Sequence, residues 1–245
     1  MEGKQIDPTP LASGSKVGTP PIERPSRESK PSPDVESPKK EEKEGISEVI
    51  VPNQETTIEI VQPPGVNTGR LILGIEYAGG SDTAFQGPGV VVYKIEKSGL
   101  AASDGRIRLG DQIRKVNDTV ITEDLPLNRR RYIIETLAPP KARFTIFRPD
   151  PIPFDFYEVR LTKETKSERF KMTYECHGVH ERNRGVYVKK TYQDDGGFEL
   201  IHPGDIFVTI NNKIVISVPD IAKILSSHIS VLIKFKRFKL TRPEV

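Results

Sequence analysis

The sequence predicts a mainly β protein, built as two similar small domains behind a disordered leader. Three observations carry that reading. Nine of the 21 prolines of the 245-residue chain fall in the first 55 residues, a stretch without aromatic side chains. From Thr57 onward the texture changes to short β-branched runs punctuated by Gly and Pro, as in strands and turns. The turn Gly110-Asp111 then recurs as Gly204-Asp205, 94 residues later and in the same apolar-x-x-Gly-Asp setting. That is a domain-sized internal repeat.

Residues 1–55 are rich in Pro, Ser, Lys and Glu and show no apolar periodicity. Such a segment buries too little apolar surface to offset the entropy of ordering, so it is expected to be disordered. Its four Ser/Thr-Pro steps, Thr9-Pro10, Thr19-Pro20, Ser32-Pro33 and Ser37-Pro38, make it a candidate for proline-directed phosphorylation.

The first domain is expected over 56–148. Ile58 and Ile60 mark a strand, Val90, Val91, Val92 and Ile95 a second, and Ile113–Val116 a third after the Gly-Asp turn. Residues 128–137 carry apolar groups at 133, 134 and 137. That spacing gives a helix with one buried face, and Asn128 is the expected N-cap. Pro139-Pro140 stops the helix, and Phe144–Phe147 returns as a strand.

A short linker over 149–155 is stiffened by Pro149, Pro151 and Pro153. The second domain, 156–240, repeats the order, with strands at Tyr157–Leu161, Phe170–Tyr174 and Gly185–Lys189. Val208–Asn212 follows its Gly-Asp turn as Arg114–Asp118 follows the first. Ser217 then caps a helix with Pro219 in its first turn. Val231–Phe235 closes the domain as a strand, and 241–245 are left as a tail.

Composition narrows the function classes. One cysteine, Cys176, excludes an internal disulfide framework. His177 and His180 beside it match no closed zinc signature and lack a fourth ligand, so no metal or other cofactor is expected. There is no apolar run long enough to span a bilayer and no apolar signal segment at the N-terminus, which reads as a cytoplasmic chain. The net charge of +3 divides as −3 over 1–55, +2 over 56–150 and +4 over 151–245. These values are too mild to argue nucleic-acid binding.

The stretch Gly89-Val90-Val91-Val92-Tyr93-Lys94-Ile95, through Gly99-Leu100-Ala101-Ala102 and Asp104-Gly105, to Leu109-Gly110-Asp111-Gln112-Ile113 and Val116-Asn117, resembles the PDZ domain. The likeness covers about 57–148. The second repeat resembles a divergent PDZ domain over about 157–238, keeping Gly204-Asp205-Ile206 and Ile210-Asn211. The resemblance implies two partly open, six-stranded β-sandwich or barrel domains with two short helices each. It also implies a groove, between the second strand and second helix, that takes a partner's C-terminal tail as an added strand. A nest of backbone N–H groups would hold the free carboxylate, with Gly letting the backbone approach the anion.

In the first domain the carboxylate loop maps to Ile72-Leu73-Gly74-Ile75, with Ile72 in place of the family's first glycine. Leu73, Ile75 and Tyr77 would line the groove, with Ile134 and Leu137 opposite on the helix and Arg70 adding charge near the carboxylate. In the family a helix histidine goes with Ser or Thr two residues before the ligand's terminus. Here that place maps to Arg130, flanked by Arg129 and Arg131, which would favour an acidic, hydroxylated or phosphorylated residue.

In the second domain the loop maps to Arg169-Phe170-Lys171-Met172, without glycine. Its groove would pair Phe170, Met172 and Tyr174 with Val218, Ala222 and Leu225. The run Lys234-Phe235-Lys236-Arg237-Phe238-Lys239 would put cations on one strand face and Phe on the other. That basic face offers contact with an anionic membrane.

No cluster of His, Ser and Asp reads as catalytic, and Asp111 and Asp205 are explained by the repeat, so no enzyme is expected. The expected function is a non-enzymatic adaptor for the C-terminal tails of partner proteins, reaching the membrane periphery through them. The alternative is a structural interaction protein whose second repeat serves packing, dimerisation or membrane contact.

Overall fold

Each half of the chain folds into a six-stranded antiparallel sheet, as the repeat predicts. The computed structural model describes residues 45–65, 69–176, 185–192 and 196–242. The leader's Ser/Thr-Pro steps, the His177/His180 pair and the chain end from Pro243 lie outside these residues.

The first module comprises β1 (Glu55–Val61), β2 (Ile75–Ala78), β3 (Val90–Ile95), α1 (Leu100–Asp104), β4 (Gln112–Val116), β5 (Thr119–Val120), α2 (Leu127–Glu135) and β6 (Lys141–Phe147). Its sheet runs β1-β6-β4-β3-β2, with β5 paired to β4. The second comprises β7 (Phe154–Thr162), β8 (Met172–Cys176), β9 (Val186–Thr191), β10 (Ile206–Ile210), β11 (Lys213–Ile214), α3 (Val218–Ser227) and β12 (Ser230–Phe238). It runs β7-β12-β10-β9-β8, with β11 on β10. A 3-10 turn, Phe198–Leu200, stands where the first module has α1. Among the described residues β2 and β8 each end their sheet, leaving one strand edge open beside a helix.

The repeated residues do the same work twice. Gly110 and Gly204 take positive φ, +87° and +95°, which turns the chain into β4 and β10. The buried Asp111 receives Arg148 through two bonds of 2.7 Å and also accepts the Arg108 amide. Asp205 receives Arg237 at 2.7 and 2.8 Å and the His202 amide at 2.6 Å. Each carboxylate thus ties its turn to the module's end. Asn117 and Asn211, at φ +51° and +49°, clamp the facing strand by accepting the amides of Arg143 and Leu232.

Each module has its own core. Ile58, Ile60, Val90, Val92, Ile113, Phe144 and Ile146 fill the first, and Leu161, Val188, Phe207, Ile210, Ile221, Ile233 and Phe235 the second. A third apolar cluster joins the modules. Ala78, Phe85, Val91 and Tyr93 of the first meet Tyr187, Ile206, Phe238 and Leu240 of the second.

The boundaries differ from the sequence reading in three places. Ile50, expected in the leader, is buried in the first core, and Asn53 bonds Arg148 and Asp150, so order begins ahead of residue 56. The linker is part of the packing, since Phe154 already opens β7 and Ile152 covers Gly110. The tail reaches back, with Thr241 bonded to Gln112 and Arg114 of the first module.

Two helix starts contrast. Ser217 caps α3 as expected, accepting the Asp220 amide. Asn128 does not cap α2. The helix starts after Pro126, and Asp82 from the β2–β3 loop accepts the Leu127 amide at 2.7 Å.

Candidate functional site: the groove between β2 and α2

Between the open edge of β2 and the helix α2 lies a cavity of about 330 Å³, lined by residues 70–75, Tyr77, Glu96, Ile134 and Glu135. Its shape follows from the loop before β2. The carbonyls of Ile72, Leu73 and Gly74 all turn toward the chain around α1, accepting from Leu100, Ala101 and Glu96. With every carbonyl turned one way, the amides of Ile72, Leu73 and Gly74 donate to no group among the described residues. Consecutive unspent N–H groups of this kind form an anion-binding nest.

Gly74 is required here for a more specific reason than access for an anion. It sits at φ +68°, and a Cβ would stand 2.5 Å from the Cα of Gly99, in backbone that cannot move aside. Leu71 and Leu73 point into the core and Ile75 is half-buried, while Ile72 is 55% exposed at the rim.

The far wall is polar. Tyr77 on β2 donates to Glu135 on α2 at 3.1 Å, and Arg131 pairs with the same carboxylate at 3.5 Å. Burial, and then Glu135, holds the Tyr77 phenol well above its ordinary pKa, so it remains a donor at any physiological pH.

Seven of the nine residues expected in this groove line the cavity: Arg70, Ile72, Leu73, Gly74, Ile75, Tyr77 and Ile134. Leu137 lies behind them in the core. Arg130 is a correction. It is fully buried and donates to the carbonyls of Gly87, Gly89, Glu123 and Leu125, two loops that it staples together, so it faces no ligand. Burial lowers its pKa against the opposing charges of Asp82, Asp124 and Glu123, and its bonds among the described residues go to carbonyls.

The helix register explains the miss. Both helices begin one residue after their caps, so Leu127 corresponds to Val218 and Arg130 to the buried Ile221. The stripe that carries Ile134 into the groove continues through Arg131 and Leu127. Aligning the two helix starts in the sequence would have placed Leu127 there. The triplet Arg129-Arg130-Arg131 drew attention to charge instead.

The second module reuses the framework with a different loop. Tyr192 donates to the Lys171 carbonyl at 2.8 Å as Glu96 does to Gly74 at 2.7 Å, so Lys171 does occupy the glycine's place. Lys171 does not adopt the positive φ of Gly74, and the Met172 amide is spent on the Phe170 carbonyl. Lys163 is buried beside this loop, donating to the carbonyls of Lys166, Glu168 and Leu225 with its ammonium 5.1 Å from the Phe170 ring centre. Phe170, Met172 and Leu225 are core residues, Tyr174 and Val218 pack partly against them, and Ala222 is exposed on α3. On β12 the expected division of faces is corrected: Phe235 is buried in the second core and Phe238 on the opposite face in the third cluster, so the strand has no single basic face, and Arg237 is committed to Asp205. Lys234 and Lys236 lie over the rings of Phe156 and Phe154.

Comparison with known proteins agrees with this geometry. The PDZ domain family model matches residues 66–125, which contain the loop, β2, β3 and the first Gly-Asp turn. The first module is a PDZ domain. The human multiple PDZ domain protein is 35% identical over 113 residues, 45% of this chain and 5% of its own length. The zebrafish Disks large homolog 4 is 30% identical over 154 residues, 59% of this chain and 18% of its own. The chain therefore spans a small part of these relatives. The solved INAD PDZ45 structure in complex with an NG2 peptide superposes with a TM-score of 0.66 at 20% identity, covering 82% of this chain and 99% of that one. A second, of INAD PDZ45 with NORPA CC-PBM, gives 0.65 at 20% identity. At that identity the likeness is one of fold, and it extends the PDZ fold to the second module.

Proposed function

We propose that the chain is a non-catalytic adaptor that captures the free C-terminus of a partner protein as an added strand on β2, through its first PDZ domain. The observation that carries this reading is the set of amides at Ile72, Leu73 and Gly74 that donate to no described residue, at the mouth of a cavity with apolar side chains on one side and a polar far wall, beside an open strand edge. Main-chain pairing along β2 supplies affinity, and the cavity under Leu71, Leu73, Ile75 and Ile134 takes an apolar terminal side chain. Arg131 and Leu127, in place of Arg130, face the residue two before the terminus. Titration of the chain with C-terminal peptides and their amidated counterparts tests this. Amidation removes the charge that the amides hold and should abolish binding; equal affinity for both forms would refute it.

For the second PDZ-fold module the reading is packing. Its loop lacks the left-handed turn of Gly74, and its β9, β10 and β12 are committed to the third apolar cluster. Lys234 and Lys236 leave an anionic membrane as a secondary partner, and the chain would reach the membrane periphery chiefly through the proteins it binds. Sedimentation with anionic and neutral vesicles separates these cases, and equal sedimentation would remove the membrane role.

A further inference from the structure

We propose that the second module positions the groove strand of the first, so that residues far from the peptide set its affinity. This rests on the peptide reading above. Along β2, Ile75 and Tyr77 line the groove while Glu76 between them faces the other way. Lys94 bonds Glu76 and lies 3.6 Å from Glu175 of the second module. Tyr93 donates to the other oxygen of Glu76 at 3.2 Å, and Tyr187 donates to Glu175 at 2.9 Å. Lys189 also pairs with Glu175. One ionic cluster therefore runs from the groove strand into the second module.

The strand pairing shows why this cluster sets geometry. Along β2–β3 the partner of Glu76 is Lys94 and the partner of Tyr77 is Val92, so Tyr93 is the extra residue of a bulge. A bulge re-aims the neighbouring side chains and increases local twist. Here the bulged side chain is inserted into the module junction. The Tyr93 ring stands 5.8 Å from the Tyr187 ring, and the Gly204 turn packs against it so closely that a Cβ at Gly204 would be 2.9 Å from the ring. The second module thus holds the bulge that aims Tyr77 across the groove to Glu135.

The test uses the full chain and two variants confined to the second module, Glu175→Gln and Gly204→Ala, with Ile214→Ala, an 80% exposed position, as control. The probe is a peptide with a free carboxylate, selected on the wild-type chain from a random C-terminal library. Affinity should fall about 5-fold or more in both variants, the lower range of site-to-site coupling. The amide resonances of Ile75, Glu76 and Tyr77 should move in the absence of peptide, while thermal melting shows each variant folded. Unmoved β2 resonances together with affinities within about 2-fold of wild type would overturn the proposal. If no library peptide binds the wild-type chain, the function reading fails, and the β2 resonances alone decide the positioning role.

Discussion

Replacing Arg130 with Met should cost the first module about 3–5 kcal/mol without altering which peptides it prefers. The guanidinium is fully buried and donates to four carbonyls, at 2.7 Å to Leu125, 2.8 Å to Gly87, 2.9 Å to Glu123 and a shorter contact to Gly89. Bonds to a charged donor contribute about 1.5–3 kcal/mol each, and a buried acceptor left unpaired costs about 1–3 kcal/mol. Against this, Met relieves several kcal/mol of guanidinium desolvation, so four carbonyls left unpaired at about 1–3 kcal/mol each leave a net cost of about 3–5 kcal/mol. With both modules melting as one unit of roughly 200 residues, that lowers the midpoint by roughly 6–20 °C. Guanidinium unfolding followed by circular dichroism reads the free energy, and peptide titration well below the midpoint reads selectivity. A loss under about 1 kcal/mol would refute the buried-hub account, as would a changed preference two residues before the peptide terminus.

Further outcomes follow from the same geometry. Gly74→Ala should abolish peptide binding in calorimetry, because the new Cβ meets Gly99 backbone at 2.5 Å and the position needs positive φ. Lys171→Gly alone should leave the second module silent toward C-terminal peptides in the same assay, since Lys163 and the spent Met172 amide hold its loop in another shape. Ending the chain after Lys239 should raise hydrogen exchange at the module junction, because Leu240 covers Gly87 and Thr241 bonds Gln112 and Arg114.

Acid should loosen the junction. The Lys189 bond, then the Tyr187 hydroxyl and the Lys94 charge, hold the Glu175 carboxyl below its ordinary pKa. Its stabilisation is therefore present above the unfolded value of about 4.3 and lost as pH falls through the folded value. The Tyr187 and Tyr93 ring resonances should report the change, and no shift in a titration carried from neutral pH down to about pH 2, well below the ordinary carboxylate value, would contradict it.

Much of the fold could be read from the repeat. Gly-Asp turns and β-branched runs placed most of the strands of both modules, because each rests on local chemistry. The contact between modules was harder, although it left a trace. Val90-Val91-Val92-Tyr93 is apolar on both faces and Val186-Tyr187-Val188 likewise, the mark of strands covered on two sides. Period alone cannot say what covers the second face. Within the groove, residues 70–77 were reached through the family resemblance, whose glycine-bearing loop maps onto Gly74, and not through any local pattern of their own. Arg130 was expected to face the ligand, but only the helix start, after Pro126, tells which of the three consecutive arginines turns inward. The buried Lys163 carried no signal, since the carbonyls it binds are invisible in side-chain chemistry.

The central claim is that Ile72, Leu73 and Gly74 hold the carboxylate of a partner's C-terminus. Amide chemical shifts recorded while the full chain is titrated with one peptide, free and amidated, test it most directly. The account predicts large shifts at Leu73, Gly74 and along β2 with the free acid, and none with the amide. Shifts confined to other surfaces, or identical with both forms, would contradict it.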